Sequence, residues 1–175
     1  MKILQLVFNT VKHLKFIQIY YRVYYFLRKK FLKNTIKHVA NNDFDQIEWK
    51  NIINYDNKYF KEQNSFTFLN LSYSISEKIN WNFNKYGKLW TYNLNYFDFL
   101  NQKNISKDAG LKLIKDFIKN DDLLKDGKEP YPLSLRGVNW VKFLSKNQIK
   151  DQIINNTLYF HYCILLKNLE YHLLG

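Results

Sequence analysis

EPYPLSLRGVNWVKF, from Glu129 to Phe143, is the stretch whose reading decides the fold. A residue that precedes a proline avoids the helical region, so Pro130, Tyr131 and Pro132 are expected to form an extended approach. Ser134 is then placed to cap a helix that reaches about Ser145. On that helix the i, i+3, i+4 rule puts Arg136, Asn139, Trp140 and Phe143 on one side, with Leu135, Val138 and Val141 leaning to the other. A guanidinium, an amide and an indole thus share one face. The set suits an acidic sugar: Arg holds a carboxylate with two hydrogen bonds, Trp offers a flat apolar surface to a pyranose, and Asn both donates and accepts. The competing reading makes Trp140 and Phe143 core and sends Arg136 to a helix end or to Glu129, because aromatic stripes are usually buried.

Helical spacing extends in both directions from this stretch. Ser106 is a plausible cap for a helix with Ala109, Leu113 and Phe117 on one stripe and Gly110, Ile114 and Ile118 beside it. Asn120 to Lys128, with its acidic residues and Gly127, reads as a loop. A further helix starts near Gln148, and its run from Leu158 to Leu166 is apolar nearly all round, which predicts burial on every side. Toward the N-terminus, Val7, Val11, Leu14, Ile17, Tyr21, Tyr24 and Phe31 recur at helical spacing, with Lys12, Lys15, Arg22 and Lys29 off the stripe. One or two amphipathic helices are expected between Ile3 and Val39. Asn41 to Asn64 reads as an irregular linker with a short helical turn, and Phe66, Phe68 and Leu71 suggest a short strand.

Composition agrees with helices. In 175 residues there are only five glycines and two prolines, against 46% hydrophobic and 18% aromatic residues. These numbers allow a buried core and disfavour a chain of short strands and turns. The fold expected is mainly α: an incomplete (α/α) toroid of paired helices with a short N-terminal β element. Residues 1–40 are expected to form a basic amphipathic helical segment, and 41–175 the helical domain.

The formal charge of +12 is uneven, since nine Lys and Arg residues precede the first acidic residue, Asp43. Such a block attracts an anionic polymer or an acidic membrane surface, although 22 asparagines and abundant lysine are also what an AT-rich genome produces. A weak membrane-surface contact is therefore one expected partner interaction. Nucleic acid is not, because no glycine-rich, zinc or helix-turn-helix signature accompanies the charge. Cys163 is the single cysteine and sits in an apolar run, where an inert buried thiol is expected. The four histidines lack metal-ligand spacing, so neither metal nor cofactor is expected. Residues 1–8 lack a signal-peptide cleavage pattern, and export has no support in the sequence.

The second informative run is WTYNLNYFDFL, Trp90 to Leu100, and the chain closes on EYHLLG. Together with the Pro-Tyr-Pro-x-Ser-Leu-Arg and Asn-Trp runs, it resembles the N-terminal helical part of the heparinase II/III family of polysaccharide lyases. The resemblance covers the chain from about Leu14 to Gly175. It implies β-elimination on a uronic-acid polysaccharide by a lyase that is usually periplasmic when its polymer is external. A base, Tyr or His, removes the proton at C5, an Asn or His neutralises the carboxylate, and a Tyr protonates the departing 4-oxygen. In the family an Asn-His pair usually follows the Leu-Leu-Gly run, so the resemblance places the catalytic residues beyond Gly175. It implies an acidic polysaccharide and the C-terminal part of the lyase as partners, and an isolated arc whose last helix has unfilled apolar faces.

The substrate-binding set expected is Trp90, Asn93, Asn95, Tyr96, Arg136, Asn139 and Trp140, with no catalytic residue among them. Arg136 and Trp140 are expected to face a groove. Asn95 stands where relatives commonly carry His, and an amide does not shuttle protons near neutral pH. The opposing reading makes Tyr92, Leu94, Phe97 and Leu100 core and the asparagines helix caps. His172 is a weaker candidate proton carrier, since its helix neighbours are leucines. A non-catalytic module that binds acidic polysaccharide is the alternative function.

Overall fold

The computed structural model describes residues 5, 9, 11–31, 59–61, 65–75 and 77–169. It is mainly helical, with one small sheet. The chain divides into two compact units, Met1–Lys37 with Asn168–Gly175, and His38–Lys167.

In the first unit, helix α1 (Phe16–Phe31) carries no acidic residue in its first turn. Phe16, Ile17, Tyr20, Val23, Tyr24, Phe26 and Leu27 on this helix are exposed. The Tyr25 hydroxyl donates to the Leu169 carbonyl. The remainder of the expected N-terminal helical region and most of the expected linker lie outside the described residues.

The second unit begins with a three-stranded antiparallel sheet in the order β1 (Phe60–Lys61), β2 (Ser65–Phe68), β3 (Leu71–Ser74). Phe60 and Lys61 were expected in the irregular linker; they pair instead with Phe66 and Ser65. The Gln102 side chain explains the pairing, because its oxygen accepts from the Phe60 amide at 3.0 Å and its amide donates back to the Phe60 carbonyl at 2.7 Å. The single strand expected over Phe66 to Leu71 is a hairpin. Leu69 and Asn70 both take positive φ (52° and 61°), as a two-residue hairpin turn of the primed type requires. Alternation then turns Phe66 and Phe68 inward.

Four helices follow: α2 (Lys88–Tyr96), α3 (Lys107–Asn120), α4 (Pro130–Lys146) and α5 (Gln152–Lys167). Short 3-10 turns at Asp98–Asn101 and Asp121–Leu123 follow α2 and α3. Ser106 caps α3 as expected, its hydroxyl accepting from the Ala109 amide at 3.2 Å. The start of α4 differs from expectation. Both prolines lie inside its first turn and Glu129, extended at φ −70° and ψ 158°, holds the cap position. The first amides of a helix have no intrahelical acceptor, so proline costs nothing there and its fixed φ is already helical. Ser134 is an interior residue whose hydroxyl donates to the Tyr131 carbonyl.

Helix α5 is also less buried than its composition suggests. Ile154, Leu158 and His161 form its inner face, while Tyr159 and Leu166 are exposed. Cys163 is half-buried.

The core is an aromatic stack. Trp81 lies parallel to Phe97 with centroids 5.1 Å apart, and Phe97 meets Phe117 and Trp140 edge to face at 5.0 and 5.3 Å. Such offset and perpendicular pairs add about 0.5–1.5 kcal/mol each to the burial itself. Trp90 belongs to the same core, and its indole N–H donates to the Leu71 carbonyl, tying α2 to β3.

Gly110 brings α3 against Phe143 of α4. A Cβ on Gly110 would overlap the Phe143 ring, which is 1% exposed and boxed in by the core. Gly110→Ala gains about 1 kcal/mol of helix propensity but incurs overpacking of about 1–3 kcal/mol. A net loss of stability in urea unfolding is expected, and an unchanged or raised midpoint would show that α3 and α4 are not this close.

Candidate functional site

The two motif runs meet at the seam between α2 and α4. Helix α2 ends at Phe97, whose φ of 61° is left-handed, and the chain turns there so that the Phe97 ring enters the core. A bulky residue pays about 1–2 kcal/mol for that conformation. Asn139 holds it. Its amide donates to the Tyr96 carbonyl at 2.9 Å and to the Asp98 carboxylate at 2.5 Å, and its own oxygen accepts from Asn101 at 2.9 Å.

One turn earlier on α4, Arg136 is wholly buried. Its Nη1 donates to the carbonyls of Gly127 at 3.0 Å and Asn95 at 3.3 Å, and its guanidinium lies 4.7 Å from the centre of the Phe117 ring. Burial lowers its pKa to about 10, against the opposing pull of Asp121 and Glu129. Asn95, in the last turn of α2, donates to the carbonyls of Thr91 and Trp81. Gly127 closes against it: φ is +98° there, and a Cβ would come within 2.8 Å of the Asn95 side chain.

Beside Arg136 lies a second buried pair. His161 Nε2 is 3.1 Å from Asp121 Oδ1, and the other Asp121 oxygen receives Lys128 Nζ at 3.2 Å. Desolvation opposes the charged form of Asp121, but the hydrogen bond from His161 and the neighbouring cations outweigh it and lower the carboxyl's pKa. Desolvation lowers the pKa of His161 despite the Asp121 hydrogen bond. Among the described residues, Arg136 Nε and Nη2, Trp140 Nε1 and His161 Nδ1 have no hydrogen-bond partner.

Six of the seven expected substrate-binding residues are therefore inside the protein: Trp90, Asn95, Tyr96, Arg136, Asn139 and Trp140. This corrects the groove-facing placement of Arg136 and Trp140. The face they share points at the aromatic core, with Trp140 against Phe97 and Phe117. Asn93 is half-buried and donates back to the Leu89 carbonyl. Neither Asn93 nor Asn95 is a helix cap; both bond within α2. His172 lies outside the described residues.

At the outer edge of the seam, around the expected residue Tyr96, lies a cluster whose other members, Lys88, Tyr92, Asp126, Glu129 and Tyr131, are not in the expected substrate-binding set. Tyr131 is exposed and meets Tyr96 edge to face at 5.6 Å, and Tyr92 is 6.3 Å from Tyr96. Lys88 bridges Glu129 at 2.7 Å and Asp126 at 3.0 Å and lies 5.2 Å from the Tyr92 ring centre. Burial works against the Glu129 carboxylate, yet hydrogen bonds from Lys88, Tyr92 and the Gly127 amide bring its pKa to about 2. Lys88 moves upward, chiefly through Glu129. Desolvation and the adjoining phenols raise Tyr96 to about 12, and desolvation also raises Tyr92. The only sequence signal for this cluster was the spacing of Lys88, Tyr92 and Tyr96 on one helix face.

Comparison with protein-family models, with curated proteins and with solved structures found no match. Among the described residues there is no group of three or more His, Cys, Asp or Glu placed to hold a metal ion.

Arg136→Ala strands the buried Asp121 with fewer cations and leaves two carbonyls without their donor. A loss of about 3–5 kcal/mol is expected in denaturant unfolding, and a loss below about 0.5 kcal/mol would mean that the guanidinium is on the surface.

The lowered His161 and Asp121 pKa values give stability a definite pH dependence. Both groups bind protons more readily when unfolded, so stability is fully present above 6.5, the unperturbed His value. It falls as acid first protonates the unfolded histidine, and falls further once pH drops below 3.8, the unperturbed Asp value. His161→Gln keeps a donor for Asp121 without titrating. It should flatten the slope of unfolding free energy between pH 7 and pH 5, and an unchanged slope would assign it to other groups.

Proposed function

We propose that the chain is the N-terminal segment of a heparinase II/III-like polysaccharide lyase, that its helices form part of an (α/α) toroid, and that the complete enzyme cleaves a uronic-acid polysaccharide by β-elimination. The observation that carries this reading is the convergence of the two resembling runs. Arg136 and Asn139 of the second donate to the backbone of Asn95 and Tyr96 in the first, so the runs act as one device. Their shared edge presents the exposed Tyr131 and the half-buried Tyr92 beside the buried Tyr96, and the two accessible rings offer flat apolar faces and hydroxyls that suit sugar hydroxyls.

The chemistry of elimination fits a division of labour. A base must take the C5 proton, a donor must neutralise the adjoining carboxylate, and an acid must protonate the departing 4-oxygen. Tyr92 and Tyr96 have raised pKa values, which keeps them protonated and unsuited to the role of base. His161 is buried and engaged with Asp121. The tyrosine edge is accordingly a substrate-facing surface, and none of these three side chains is suited to be the base that takes the C5 proton.

Titration of the chain with uronic-acid oligosaccharides, followed by nuclear magnetic resonance, tests the reading. Binding should be weak and should fall at least about fivefold in Tyr131→Ala, with stability changed by no more than about 0.5 kcal/mol, as for other surface substitutions. No unsaturated product, detected by its ultraviolet absorbance, should form. Equal affinity for a neutral glucan, or no response of uronate binding to Tyr131→Ala, would contradict the proposal.

A further inference from the structure

Helix α1 is amphipathic in an unusual sense, because its exposed side is the apolar one. Phe16, Tyr20, Val23, Tyr24 and Leu27 follow one another at helical i, i+4, i+7, i+8, i+11 spacing, and all five are exposed, Phe16 to 83%. Tyr21 and Tyr25, on the opposite side, are half-buried, and Tyr25 bonds to the Leu169 carbonyl in the same unit. The helix is thus anchored by its back, and the aromatic stripe is the face presented outward.

Around this stripe the charge has a single sign. Lys12, Lys15 and Arg22 are exposed and Arg28 is half-buried, and the first 42 residues hold nine Lys and Arg residues with no Asp or Glu. We infer that α1 is a peripheral membrane anchor that lies in the interface of an anionic lipid bilayer, with Phe16, Val23 and Leu27 toward the acyl chains and its cations among the lipid phosphates. Apolar residues along the centre of the stripe, tyrosines beside them, and exposed Lys12 and Lys15 just ahead of the helix supply the apolar, amphipathic and cationic groups that such an interface solvates. A second copy of the chain is a poor occupant, since pairing two stripes would bring two uncompensated cationic segments together. A soluble anionic polymer would satisfy the cations and leave the aliphatic Val23 and Leu27 of the stripe in water. Among the described residues no helix is long and apolar enough to cross a membrane. This inference stands apart from the lyase proposal, as it uses no residue of the second unit.

Sedimentation of the full chain with phosphatidylcholine vesicles, with and without phosphatidylglycerol, provides the test. The chain should bind the anionic vesicles and not the neutral ones, and added salt should weaken the binding. Phe16→Ser combined with Leu27→Ser should reduce binding about tenfold or more. Lys12→Glu combined with Arg22→Glu should reduce binding to anionic vesicles by a comparable factor, while both variants keep the unfolding transition of the parent. Absence of binding to anionic vesicles by the unsubstituted chain overturns the inference regardless of how the variants fold. So does binding that is indifferent to lipid charge, or vesicle binding left intact in the serine variant.

Discussion

The Asn139 side chain donates to the Tyr96 carbonyl and the Asp98 carboxylate and accepts from Asn101, and through these bonds it holds Phe97 in a left-handed turn. The aromatic core depends on that turn. Were Phe97 to relax, its ring would leave the gap between Trp81, Phe117 and Trp140, and α2 would lose its register against α4. One amide on one helix therefore secures the exit of another, and the local strain of Phe97 persists because its surroundings over-determine it.

Arg136 extends the same device at greater cost. A guanidinium removed from water is expensive, and here it is offset by two carbonyls, the Phe117 ring and the nearby Asp121. The arrangement explains why Gly127 must be glycine: its left-handed backbone presents the carbonyl to Arg136 while leaving room for Asn95. Buried polar groups of this kind specify a single packing of α2, the loop and α4, and that packing in turn sets Tyr92 and Tyr131 on either side of the buried Tyr96 ring.

Helical spacing made α3 and its Ser106 cap legible in the sequence, because both rest on local interactions. It also placed Arg136, Asn139, Trp140 and Phe143 on one face correctly. What spacing could not supply was the direction of that face, since a guanidinium beside an indole is the same pattern whether it meets a sugar or the backbone of another helix. The polar residues turned inward because long-range partners, the carbonyls of Asn95, Tyr96 and Gly127, were waiting there. The Leu69-Asn70 turn was missed for a similar reason: neither residue is the glycine that usually marks positive φ. The pre-proline restriction predicts an extended entry to α4, but the first helical turn tolerates both prolines and overrides it.

The most direct test of this account is a double-mutant cycle between Asn139 and Asn101, measured by urea unfolding of Asn139→Ala, Asn101→Ala and the double variant. If the Asn139 amide is the tie that holds the turn, the two substitutions should couple by about 1 kcal/mol or more, because each removes the other's partner in a buried network. Additivity within about 0.3 kcal/mol would show that the two side chains act independently and would contradict the buried network described for Asn139.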